Sequence, residues 1–189
     1  MPARAALRRA GGGVRAAAPL SSVGAARVHG IPAYVGIGSN LRDPVTQVRA
    51  AFTKLAALPK TLLVRCSSLF GSRPMGPVAQ PDFCNAVAGI LTEMDAPSLH
   101  AQLRAIEVQM GREPQRERWG PRVIDLDLLA YGDQRRSDPE LTLPHPGIAA
   151  RAFVLRPWCE VAPDFWVPGV GRVAALAEQL PAADLWRIS

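Results

Sequence analysis

Two carboxylates stand two residues apart in Val123-Ile124-Asp125-Leu126-Asp127-Leu128-Leu129, and Arg112, Arg116, Arg118, Trp119 and Arg122 precede them. Apolar and acidic residues alternate here, which predicts a strand. Side chains on a strand alternate between faces, so Asp125 and Asp127 share one face and Ile124, Leu126 and Leu128 the other. Carboxylates this close repel unless positive charge sits between them. Mg²⁺ takes hard oxygen ligands and often sits between one or two carboxylates and substrate phosphates. Guanidinium forks match phosphate oxygens. The pattern predicts a metal-assisted phosphate site where an Arg-rich loop carrying Gly120-Pro121 meets a strand. The plainer alternative is a solvated acidic face paired with surface arginines. The apolar alternate positions and the density of arginine weigh against it.

Other residues could carry chemistry. His145 is held between Pro144 and Pro146; it is either a solvent-exposed turn histidine or part of the site. Phe83 and Asn85 stand at a second junction of loop and strand, where Asn85 is a turn cap or reads a heterocycle through its donor-acceptor amide. His100 and His29 read as bystanders. No Ser/His/Asp order and no Cys/His pair stands out as a nucleophile system. Gly36-x-Gly38 lacks the third glycine and the later acid of a dinucleotide loop, and no G-x-x-x-x-G-K-[ST] phosphate loop occurs.

The elements that must position these residues follow from hydrophobic period and punctuation. Ala33–Ile37 reads as a strand broken by Gly38-Ser39-Asn40. Asp43-Pro44 caps a helix whose Val45, Val48, Phe52 and Leu55 share a face. Leu62–Phe70 reads as a second strand, Gly71–Pro81 as a loop, and Ala86–Thr92 as a third strand covered on both faces. Asp95-Ala96-Pro97 starts a second helix with Leu99, Leu103, Ile106 and Met110 inward and Gly111 beyond its end. Val123–Tyr131 is the fourth strand. The order β-α-β-β-α-β predicts an α+β, ferredoxin-like antiparallel sheet. Leu141–Pro146 is an extended segment. Partial helix over Ile148–Glu160 and a short helix over Arg172–Leu180 would cover the sheet's other face, giving three layers, α/β/α.

The chain has 189 residues, 48% hydrophobic, which fits one domain with a proper core. The formal net charge is +6, but five arginines and no acid fall in residues 1–33, leaving the rest at +1. Charge therefore gives the domain no nucleic-acid face. No apolar run reaches the roughly 18 residues of a membrane span. Cys66, Cys84 and Cys159 are widely spaced and read as reduced thiols in the cytoplasm. Residues 1–32 are Ala/Arg/Gly-rich and read as a disordered tail ahead of a domain spanning 33–189. That tail is either a product of compositional bias or an organellar transit peptide.

Five segments together resemble the 6-hydroxymethyl-7,8-dihydropterin pyrophosphokinases of the folate pathway. They are Gly38-Ser39-Asn40-Leu41; Pro74-Met75-Gly76-Pro77 with Gln80-Pro81-Asp82-Phe83-Cys84-Asn85; Arg118-Trp119-Gly120-Pro121-Arg122 with Asp125-Leu126-Asp127-Leu128-Leu129; Pro144-His145-Pro146; and Arg151-Ala152-Phe153-Val154-Leu155. The resemblance spans about Tyr34 to Pro163. It implies an enzyme that moves the pyrophosphoryl group of ATP to the pterin hydroxymethyl and releases AMP. It also implies two Mg²⁺ on Asp125 and Asp127, with Arg112 and Arg122 in the catalytic set.

By the same resemblance Arg112, Arg122, His145 and Arg151 meet ATP phosphates, and Glu107 and Leu128 lie near the nucleoside. Phe83 and Phe153 sandwich the pterin, Asn85 reads its edge, and Ser72 and Met75 assist. Arg118 and Trp119 belong to a mobile lid that closes over both substrates. Pro114 and Pro146 depart from the common family pattern. The implied partners are small molecules, with no nucleic acid and no membrane, and the chain is expected to be a monomer. No general base for the hydroxymethyl is identified.

Overall fold

The computed structural model describes residues 30–76, 78–112 and 120–188. Its element order is β1 (Ile31–Ser39), α1 (Pro44–Ala56), β2 (Thr61–Cys66), β3 (Phe70–Ser72), β4 (Phe83–Thr92), α2 (Ala96–Gln109), β5 (Asp125–Tyr131), β6 (Arg136–Ser137) and β7 (Thr142–Leu143). A 3₁₀ turn (Ile148–Ala150), α3 (Ala152–Val161), β8 (Trp166–Val167), β9 (Gly171–Arg172), α4 (Val173–Glu178) and β10 (Leu185–Arg187) follow. The main sheet runs β10-β3-β4-β1-β5, with β2 also on β4. Every pairing in it is antiparallel. The predicted β-α-β-β-α-β core is present, with β4 and β1 at its centre.

Helices α1 and α2 begin as their sequence dictates. The Asp43 carboxylate accepts the Thr46 N–H and Thr46 hydroxyl, and Asp95 accepts the Ser98 N–H at 2.7 Å. Pro44 and Pro97 occupy first-turn positions where no N–H is needed. Helix α1 buries Val48, Ala51 and Leu55, and α2 buries Leu99, Leu103 and Ile106. These meet Val35, Ile37, Ala88, Ile90, Leu126 and Leu128 from one face of the sheet. Helices α3 and α4 cover the other face, where Leu155, Trp158 and Val173 pack on Val87, Leu129 and Ala130. Tyr34, Trp158 and Phe165 form an aromatic group, with centroids 4.5–5.8 Å apart. The three layers are those expected, and each fully buried Leu or Ile contributes roughly 2 kcal/mol. Buried positions run almost unbroken along β4, as expected for a strand covered on both faces.

The structure corrects several boundaries: β4 begins at Phe83 rather than Ala86, and β5 at Asp125 rather than Val123. The single strand expected over Leu62–Phe70 is two strands, β2 and β3. Between them Ser67 takes over the ladder: its N–H donates to Val87 O, and its hydroxyl accepts the Val87 N–H at 2.9 Å. A polar residue bonded in this way breaks the ladder without leaving the backbone unpaired. Strand β1 also starts earlier, since Ile31 and Pro32 pair with Thr92 and Leu91. Residues 1–29, and with them the reading of the tail, lie outside the described residues.

Candidate active site

Strand register assembles the site. Gly38 on β1 is flanked by Asn85 on β4 and by Asp125 on β5, and Gly36 is flanked by Val87 and Asp127. Two carboxylates and an amide therefore share one stretch of sheet, separated only by glycines. A Cβ at Gly38 would lie 3.6 Å from Asn85 Oδ1, and one at Gly36 would lie 3.1 Å from Leu129 Cδ2. Their absence leaves a cavity of about 300 Å³ above the sheet. Asp125 and Asp127 form one wall, Phe83 and Asn85 another, and His145, Arg151 and Phe153 close it. Leu129 lies on the Asp face by alternation, and the β1–β5 register shift between Tyr34 and Val35, a bulge that sends consecutive residues the same way, puts Ala130 on that face as well.

The two carboxylates are held differently. Asp125 accepts Arg112 Nη1 on Oδ1 and Arg122 Nη1 on Oδ2, each at 2.6 Å. Among the described residues the cations that face Asp127 are distant: His145 Nε2 at 3.8 Å and Arg151 Nη1 at 4.0 Å. Burial, and then the Asp125 charge, push its pKa above the usual carboxylate range. Burial also holds the His145 imidazole below its ordinary value, against the pull of Asp127. The Gly147 N–H donates to His145 Nδ1 at 3.1 Å, which leaves Nε2 as the nitrogen that carries a proton toward Asp127.

The end of α2 places Arg112. Gly111 has φ +87°, a left-handed conformation suited to glycine. The Gly111 N–H donates to Val108 O and the Arg112 N–H to Glu107 O, the paired bonds of a Schellman cap. That cap turns Arg112 back over Glu107, whose side chain it also meets. Glu107 is 1% exposed. It accepts Arg104 Nη1 at 3.0 Å and the Leu126 N–H at 2.7 Å.

The far end of the site is clasped by Ser39 and Asn40. Ser39 donates to Val123 O at 2.6 Å. Asn40 accepts the Arg122 N–H and donates to Gln80 Oε1 and Pro81 O. One side chain thus ties the arginine before the carboxylates to the loop before Phe83. At the Asn85 end, Asn85 Nδ2 donates to Ser72 Oγ at 2.9 Å and weakly to Phe70 O. This network fixes the amide with Oδ1 toward Gly38. A second, wider cleft of about 630 Å³ opens between α2 and the segment 136–141, lined by His100, Arg136 and Glu140. Arg104 borders both cavities.

The family described as 7,8-dihydro-6-hydroxymethylpterin-pyrophosphokinase matches residues 34–163. This chain belongs to that family. A relative from Pseudomonas aeruginosa, a 2-amino-4-hydroxy-6-hydroxymethyldihydropteridine pyrophosphokinase, is 41% identical over 155 residues, covering 82% of this chain and 95% of its own. One of the same name from Haemophilus influenzae is 42% identical over 149 residues, covering 79% and 92%. The fold is shared with a crystal structure of Plasmodium falciparum HPPK-DHPS, with a TM-score of 0.62 and 15% identity. That likeness covers 82% of this chain, which spans 45% of the HPPK-DHPS chain.

Most residues expected of a pyrophosphokinase site meet at the one cavity: Ser72, Met75, Phe83, Asn85, Arg112, Arg122, Asp125, Asp127, His145, Arg151 and Phe153 all line it. Two do not. The Leu128 side chain is packed in the core beneath α2. Glu107 is sealed under Arg104 and Arg112, so it reaches the cavity only through them and Leu126. Arg118 and Trp119, and the lid expected around them, lie outside the described residues. Arg104, Asn40 and the open glycine floor were not among the expected site residues, and His100, read as a bystander, lines the second cleft. The i, i+3 spacing of Arg104 and Glu107 on α2 was the available signal for the first.

Proposed function

We propose that this cavity transfers the pyrophosphoryl group of ATP to the hydroxymethyl of 6-hydroxymethyl-7,8-dihydropterin, releasing AMP, with Asp125 and Asp127 at its centre. The transfer is the activity of the family to which the chain belongs. The observation that supports the residue assignment is the cross-sheet register. It sets a donor-acceptor amide, Asn85, two strands from a carboxylate pair, with glycine between them.

The pterin lies on the Asn85 side. Phe83 and Phe153 offer the flat faces a flat ring needs, and Asn85 Oδ1 is turned to accept a ring-edge N–H. The phosphates lie over the carboxylates, within reach of Arg112, Arg122, His145 and Arg151. The nucleoside then leaves on the opposite side from the pterin, past Arg104, into the cleft lined by His100 and Glu140. Arg112 and Arg122 both grip Asp125 in this structure. Phosphate oxygens compete for the same guanidinium forks, so loading ATP transfers these arginines from protein carboxylate to substrate.

The donor set suits magnesium. Both carboxylates are hard oxygen ligands on one face, and among the described residues Asp127 has no close cation. Among the described residues no group of three or more His, Cys, Asp or Glu gathers, so the remaining ligands would be phosphate and water oxygens, as Mg²⁺ prefers. Two Mg²⁺ bound there would neutralise the charge that builds on the phosphoryl oxygens. The protein's own part is positional. It aligns the hydroxymethyl with the β-phosphorus and excludes water from the pair.

We read the enzyme as a monomer acting on small molecules. Among the described residues no helix is long and apolar enough to cross a membrane. Cys66, Cys84 and Cys159 are all free thiols, which supports a reducing compartment such as the cytoplasm. The test is calorimetric titration of the full chain with Mg²⁺ and a non-hydrolysable ATP analogue, then with 6-hydroxymethylpterin, and product analysis with ATP itself. The expected products are AMP and a pyrophosphorylated pterin. Released pyrophosphate, or no pterin binding after the nucleotide, overturns the reading.

A further inference from the structure

The family match ends at residue 163, yet β10 backs β3, whose Ser72 lines the cavity. Strand β10 pairs with β3 as Leu185↔Ser72, Trp186↔Gly71 and Arg187↔Phe70. Strand β3 pairs on its other side with β4, as Ser72↔Phe83 and Phe70↔Asn85. One row therefore crosses the sheet from Arg187 through Phe70, Asn85 and Gly38 to Asp125. Without β10, the three-residue β3 would be an edge strand between two loops, the weakest place in a sheet to hold a recognition group.

The attachment is built on both faces. Paired strand residues share a face, so Trp186 and Gly71 lie on the side away from the cavity. A Cβ at Gly71 would collide with the Trp186 indole, so the ring lies directly on the β3 backbone. Ile188 follows on the same face, packs on the core, and donates its N–H to Leu69 O at 2.9 Å. On the cavity side Arg187 donates to Ser68 Oγ at 2.7 Å and is ion-paired to Glu160 of α3. Glu160 in turn accepts the Ser68 N–H at 2.6 Å. Arg73, the next residue after β3, donates its N–H to Asp184 O.

We propose that β10, through Trp186 seated on Gly71, is a positioning element for substrate recognition: it holds β3 in register so that Ser72 Oγ fixes the Asn85 amide at the cavity wall. Trp186 touches no substrate. It acts through Gly71, Ser72 and Asn85, and it leaves the carboxylate end, held by α2 and β5, untouched. The inference rests on reading the Asn85 side as the pterin subsite.

The test uses the full chain with Trp186→Ala and Trp186→Phe, measuring Kd for 6-hydroxymethylpterin in the presence of Mg²⁺ and an ATP analogue, Kd for the analogue alone, and the melting temperature. Misplacing one recognition group by a fraction of an ångström predicts a pterin Kd about tenfold weaker for the Ala variant, with the nucleotide Kd within about twofold and the Phe variant near wild type. Steady-state rates should show the same split, with KM for the pterin raised and KM for ATP unchanged. An unchanged pterin Kd in a folded Ala variant overturns the inference, as does an equal fall in both affinities, which marks a merely structural role. Should Trp186→Ala not fold, Trp186→Leu carries the same comparison. A wild-type chain that binds the nucleotide but no pterin overturns the subsite reading itself, and this inference with it.

Discussion

Glu107 Oε1 accepts the backbone N–H of Leu126, the residue between Asp125 and Asp127, at 2.7 Å. A buried helix carboxylate thus fixes the strand segment that presents both aspartates. Burial pushes its pKa up, while the Leu126 N–H, Arg112 and Arg104 pull it back. Two arginines and one strand depend on a single charged group.

Glu107→Gln keeps an oxygen for Leu126 but sets an NH₂ against one guanidinium. We expect the fold to survive and kcat/KM to fall by roughly tenfold to a hundredfold, since Arg112 and the strand lose their common anchor. Glu107→Ala should also cost about 2–4 kcal/mol in stability, because it strands buried donors. Denaturant titration and steady-state kinetics separate the two effects. A Gln variant with wild-type kinetics would remove Glu107 from the account.

Gly38 is the second test. It lies between Asn85 and Asp125, and a single methyl there meets Asn85 Oδ1 at ordinary contact distance. Gly38→Ala should fold and show a modest rise in the pterin KM. Gly38→Val should lose roughly a hundredfold in kcat/KM with little change in melting temperature, because branched bulk fills the space where the two substrates meet. Equal kinetics for Val and wild type would show that the floor between these residues does not need to be open.

The helix caps give a pH prediction. Hydrogen bonds from the Ser98 N–H and hydroxyl hold the Asp95 carboxyl below its usual range. A depressed folded pKa stabilises above the unfolded value and is lost as pH falls through the folded one. Asp95→Asn should therefore keep the cap at neutral pH while losing less stability than wild type in acid. Melting temperatures across the acid range check this. A parallel pH dependence in both proteins would count against it.

The chain's organisation was legible where local rules agree. Asp-Pro starts, apolar helix faces and alternation on β5 gave the sheet, both helix layers and the carboxylate pair. What escaped was long-range. Nothing in the sequence near Glu107 says that its partner is an amide nineteen positions on. Nor does Asn40 announce that it joins Arg122 to Pro81. The Ser67 break was hidden because a serine inside an apolar run looks like a strand residue until its hydroxyl finds Val87. Nor does Trp186 announce its partner, Gly71, which lies across the whole domain.

Boundaries from register also set a deletion test. Removing residues 1–29 should leave turnover and melting temperature near those of the full chain, since β1 pairing begins at Ile31 and the family match at Tyr34. Extending the cut through Pro32 removes the pairs to Thr92 and Leu91 and should lower the melting temperature. A large loss on the shorter deletion would show that residues 1–29 contribute to the domain.

Asp127 makes the sharpest prediction, because stability and activity should move in opposite directions. Its pKa is raised by burial and by Asp125. For such a group the stabilising contribution is present below the unfolded pKa and is lost as pH rises through the folded one. At neutral pH without Mg²⁺ the ionised side chain therefore weakens the fold, and Asp127→Asn should melt no lower than wild type and above it at higher pH. The same change removes half of the carboxylate pair that would hold Mg²⁺, so kcat should fall at least about a hundredfold, with no recovery at saturating Mg²⁺. Nucleotide affinity should lose its Mg²⁺ dependence in the variant. A folded Asp127→Asn enzyme with normal turnover would show that the carboxylate carries no charge the reaction needs. One that melts well below wild type would show that Asp127 is held by His145 and Arg151 as a structural ion pair.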